Sequence, residues 1–114
     1  MLADCHIHMV LDGSDWKNAI ARHSTQVHIP WVRQTLQRYR ALGFSYLRDG
    51  GDRWGVGKLA RELAPEYGIM YRTALAPLCK AGHYGSFIGR KYAGLAEYAA
   101  LVREAKSEGA DFIK

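Results

Sequence analysis

Cysteine is scarce. Only Cys5 and Cys79 occur, neither in a CxxC pair, so a disulfide framework is excluded as the source of stability. Cys5, on the apolar side of the first expected strand, reads as a small core residue. No apolar stretch approaches the roughly 20 residues of a membrane-spanning helix. The opening apolar residues are interrupted at once by Asp4 and His6, which excludes a signal peptide. The expectation is a cytoplasmic protein with no membrane contact. Although the net charge is +5 and the pI near 9.4, no run of Lys and Arg forms a basic arm. The positive charges are spread as on a solvated surface, so no nucleic-acid partner is expected. The 114 residues allow one domain with a real core but fall short of a full α/β barrel, which takes roughly 250.

What is present is concentrated at the start. Asp4-Cys5-His6-Ile7-His8 reads as a strand with two unlike faces. Side chains alternate along a strand, which places Asp4, His6 and His8 on one face and Ala3, Cys5, Ile7 and Met9 on the other. Two imidazoles on one face can share a cation at the roughly 2.0–2.1 Å of zinc–nitrogen bonds. The same pair near a terminus is equally the signature of two surface histidines, and position must decide between them.

After this strand, residues 10–29 form a connection long enough to be functional, with a short helical piece around 16–22 and with His23 and His28 as loop surface. Pro30 opens a helix bearing the Val32, Leu36, Tyr39 stripe, and Gly43 stops it. A strand over 44–47 runs into Arg48-Asp49-Gly50-Gly51, where paired glycines mark a sharp bend or a close approach. A second helix is expected over 56–67, shortened by Pro65, then a strand over 69–75. The glycine-rich loop 80–90 carries His83, Tyr84 and Ser86, and loops at strand ends carry function. A third helix over 95–108, with Leu95, Tyr98, Ala99, Val102 and Ala105 as its buried stripe, leads past Gly109 to a fourth strand over 111–114.

The alternation β-α-β-α-β-α-β predicts a parallel sheet with right-handed crossovers. Functional residues then collect beyond the C-terminal ends of the strands. His8, Asp49, the His83 loop and Lys114 all fall there, and this shared placement favours metal binding by His6 and His8.

These segments resemble the amidohydrolase superfamily of metal-dependent hydrolases. Asp4–His8 is similar to that family's first-strand HxH motif. Residues 43–51 are similar to the second-strand segment of imidazolonepropionase-like and prolidase-like members. Residues 109–114 are similar to the strand whose lysine is carboxylated and bridges two metals. The resemblance implies a fold: a (βα)3β half of a TIM-type (β/α)8 barrel, with no N-terminal β-sandwich, over residues 1–114 as a single partial domain. It implies that His6, His8 and Lys114 hold divalent metal, zinc first, with two ions in the intact architecture. Carboxylation of Lys114 needs a neutral amine, which burial beside metal ions favours. A metal-activated water would then hydrolyse a C–N bond of a small-molecule amide or cyclic amide, with His83 and Tyr84 touching substrate. No residue is assigned as acid or base.

The family's later strands supply two further histidines and an aspartate that have no counterpart here. The expectation is therefore an N-terminal half, inactive or nearly so alone, which self-associates or pairs with a complementary C-terminal half. Two other readings stand beside it. One is a PHP-type phosphoesterase, although Arg48-Asp49-Gly50-Gly51 lacks the histidine expected after its second strand. The other is a non-catalytic half-barrel oligomerising module with incidental histidines.

Overall fold

The computed structural model describes residues 1–114. Proline and glycine divide the chain where the sequence suggests. Pro30 lies in the first turn of α2 (Ile29–Ala41), where its missing N–H is no loss, and His28 caps that helix by accepting from the Trp31 N–H at 3.1 Å. Gly43 takes φ +93° and turns the chain into β2 (Phe44–Asp49). Farther on, α3 (Val56–Leu63) gives way at Pro65 to a 3-10 turn, Ala64–Tyr67, before β3 (Met70–Thr73).

With β1 (Leu2–Ile7), these strands form a three-stranded parallel sheet in the order β1-β2-β3. One face is covered by α2 and α3. Val32 and Leu36 meet Val56, Ala60, Leu47, Ile7, Ile69 and Tyr71 in a single buried cluster, which is the main driving force for folding. A short α1 (Trp16–Ala21), capped by Asp15, sits in the first connection. No helix is long and apolar enough to cross a membrane.

The expected (βα)3β half of a TIM-type barrel does not form. The chain instead makes the three-stranded sheet, a separate two-stranded parallel sheet and four helices. Three departures account for the difference. First, residues 111–114 are not a strand. The Thr73 N–H, the donor a fourth strand would need, is taken at 2.9 Å by the Asp111 carboxylate instead of a backbone carbonyl. Arg61 and Arg72 hold that carboxylate at 3.2 and 3.0 Å, so the segment is tethered beside β3 without a ladder. Second, β4 (Leu78–Lys80) and β5 (Arg90–Tyr92) flank the glycine-rich loop and pair with each other. Third, α4 (Leu95–Ser107) packs beside β5 rather than on the main sheet. Of its expected stripe only Ala105 is buried, and Leu95 is 82% exposed.

Two single-residue expectations also change. Cys5 is exposed rather than in the core. His23 is buried at 1% exposure rather than on a loop surface. Its Nδ1 accepts the His28 N–H at 3.0 Å and its ring stands edge-on to Trp31. Burial pushes its pKa down to about 4, with Arg22 and His28 adding to the effect.

Candidate functional site

Ladder register explains why the first strand is irregular. Asp4 pairs with Leu47 and Ile7 with Asp49, so Cys5 and His6 together face the single residue Arg48. That two-against-one step is a β-bulge, which re-aims side chains. Asp4 and Ile7 therefore fall on the same face as buried Leu47, and the strict alternation expected for Asp4, His6 and His8 is broken. Asp4 instead turns back and accepts the His6 N–H at 3.1 Å, pinning the bulge. His6 and His8 remain together on the opposite side, with ring centroids 5.6 Å apart at 65°.

Each imidazole is oriented by a second contact. The His8 Nδ1–H donates to the Gly51 carbonyl at 2.8 Å, which leaves Nε2 as the lone-pair nitrogen. Backbone support of this kind is what metal-ligating histidines receive. His6 Nε2 accepts from Lys114 Nζ at 3.1 Å. Gly50 lies between His8 and Lys114, and a Cβ there would come within 2.8 Å of His8 Nε2 and 2.7 Å of Lys114 Cδ. The paired glycines noted in the sequence thus serve a close approach as well as a turn.

His6, His8, Lys114 and Tyr84 line one cleft of about 480 Å3, together with Leu11, Pro77 and Phe87. Tyr84 is 91% exposed at its mouth. His83 is exposed and does not line it. On the other side of the His6–Lys114 pair, a smaller pocket is lined by Cys5, Arg48, Gly50 and Phe112, with the Arg48 guanidinium 4.2 Å from the Phe112 ring centroid.

The two imidazole rings are close enough in centroid separation for a shared ion. Two ring nitrogens at ~2.0–2.1 Å from a tetrahedral ion place their ring centroids about 5 Å apart, close to the 5.6 Å found. The donor set is nevertheless short, because no group of three or more His, Cys, Asp and Glu side chains converges here or elsewhere. Lys114 holds the third corner, and only as a carbamate would its side chain present oxygen to an ion. It is exposed rather than buried as expected.

Asp49, expected near the rim, is fully buried beneath it. Its carboxyl accepts from the N–H groups of Met9 at 3.3 Å and Gly51 at 2.9 Å and from the Thr73 hydroxyl at 3.1 Å, tying the ends of the three strands together. Burial raises its pKa above the usual carboxylate range against the opposing Gly51 bond. Asp52, also buried, receives the Trp54, Val56 and Gly57 N–H groups at the start of α3. Burial likewise raises its pKa. Both are structural supports of the rim. Sequence reasoning missed Leu11 and Phe87 as cleft residues; the one available signal was apolar side chains inside polar connections.

No family model, curated protein or solved structure matches the chain.

Proposed function

We propose that the chain carries the metal-binding rim of a metal-dependent hydrolase that cleaves C–N bonds of small amides, in the manner of the amidohydrolase superfamily. The observation that supports this reading best is the meeting of His6, His8 and Lys114 in one cleft beyond the ends of parallel strands. His6 and His8 would hold a divalent ion, zinc first, through their Nε2 atoms, and a carbamate on Lys114 would supply an oxygen ligand. A metal bound there supplies an activated water and polarises a carbonyl. The chain's own residues then have plain tasks. Gly51 holds the His8 ring, Asp4 holds the His6 backbone, and Tyr84 meets substrate at the cleft mouth. Remaining positions around an ion fall to water and to donors from a second copy of the chain or a complementary segment.

The shortage of ligating side chains favours a second reading, a non-catalytic module whose histidines hold nothing. One experiment separates the two. The protein is incubated with zinc and bicarbonate, desalted, and its metal content measured beside His6→Ala and His8→Ala. About one ion or more per chain, lost in both variants, supports the metal-binding rim, and amine release from an amide is expected once a complementary segment completes the donors. Metal content unchanged by the variants overturns it.

A further inference from the structure

Next to the imidazole rim, Leu11, Trp16, Tyr84 and Phe87 alone line an apolar cleft of about 360 Å3. It shares Leu11, Tyr84 and Phe87 with the cleft that holds His6, His8 and Lys114, so the two clefts adjoin. Its walls are aromatic and unusually open. Trp16 is 48% and Tyr84 91% exposed. Phe87 stands at 64° to Trp16 with centroids 5.2 Å apart and at 56° to Tyr84 at 5.6 Å.

Aromatic walls of this kind accept either a cation or a further ring. Charge decides between them. No carboxylate lines the cleft, and Lys17 Nζ stands 5.5 Å from the Trp16 ring centroid, which repels a second cation. An aliphatic group would gain burial but none of the edge-to-face contact that the tilted rings present. We infer that this cleft is the subsite for a neutral aryl group, which makes aryl amides, such as anilides, the substrate class of the adjoining rim. The scissile bond rests on the hydrolase reading; binding of the ring does not.

Metal-free protein labelled with 15N is titrated with acetanilide and, separately, with N-methylacetamide, which has the amide but no ring. The signal followed is the indole N–H of Trp16, identified by its loss in Trp16→Phe. The expected result is a saturable shift with acetanilide, at least tenfold weaker with N-methylacetamide and at least tenfold weakened by Tyr84→Ser and by Phe87→Ser. Tyr84 is so exposed that its variant keeps the fold, which the rest of the spectrum verifies. Absence of saturation, equal response to the two amides, or a response untouched in Tyr84→Ser overturns the inference. Acetanilide binding without zinc uptake by the rim would leave the subsite standing and remove the hydrolase. Zinc-dependent hydrolysis with no preference for the ring would do the reverse.

Discussion

Lys114 Nζ lies 3.1 Å from His6 Nε2 across a separation of 108 positions. Neither side chain is placed by its immediate neighbours. The bulge in β1 turns His6 towards the open face of the sheet, and Asp111, gripped by Arg61 and Arg72, anchors the segment that brings Lys114 back. The rim is therefore a product of tertiary structure, and changes remote from it in sequence should disturb it selectively.

Gly50→Ala is the most direct such change. The added methyl would press on the His8 ring and the Lys114 stem at once, while the α2–α3 core is untouched. Displacing the supports of metal ligands typically weakens binding by about 10–100-fold. Zinc titration should show a loss in that range, with an unfolding midpoint near that of the unaltered chain.

Asp111→Ala should act on both stability and site. It frees the Thr73 N–H and removes the shared partner of Arg61 and Arg72. Leaving a donor without its partner costs about 1–3 kcal/mol. Urea unfolding should show that loss, and amide hydrogen exchange of Thr73, whose acceptor is removed, should rise. Metal retention should fall less than stability, because the Lys114 carbonyl still accepts the Leu78 N–H at 2.8 Å.

Gly57→Ala reverses an ordinary rule. At an exposed helix position alanine is more favourable than glycine by about 1 kcal/mol. Here the new Cβ would overlap Asp49 Oδ2 and crowd the Thr73 hydroxyl, and overpacking of this kind costs roughly 1–3 kcal/mol. Thermal unfolding should show destabilisation; a stabilised variant would refute the packing described for Asp49.

Much of the frame was legible because its signals are local. Pro30, Gly43 and Pro65 act through their own backbone, and the Val32 and Leu36 stripe needs only helical period to be seen. What escaped depends on partners. The Cys5–His6 bulge exists only in register with Arg48. Residues 111–114 follow a helix and a glycine stop as a fourth strand would, yet Asp111 gives its side chain to the amide that a ladder would have used. Strands as short as β4 and β5 show no period at all. In the site, the HxH pair and the twin glycines stood out, whereas the aromatic cleft joins Trp16 to Phe87 across connections that share no pattern.

His23 sets a pH dependence whose sign can be worked out. Its folded pKa is about 4 against an ordinary 6.5, chiefly through burial. As pH falls through 6.5 the unfolded chain takes up a proton that the folded chain refuses until about 4, so stability from the neutral ring is complete above 6.5 and lost across that interval. Asp49 and Asp52 work in the opposite sense. Their folded pKa values are raised above 3.8, so their contribution is present below 3.8 and lost as pH rises through the raised values. A variant that keeps both carboxyls separates the effects. In His23→Gln the ring no longer titrates while an acceptor for the His28 N–H can persist. Between pH 7 and pH 5 the unaltered chain should lose about 2 kcal/mol more than His23→Gln, because each tenfold rise in proton concentration below 6.5 favours the unfolded chain by about 1.4 kcal/mol. Urea unfolding at the two pH values reads that difference, and equal losses in both chains would show that His23 is not held neutral in the fold.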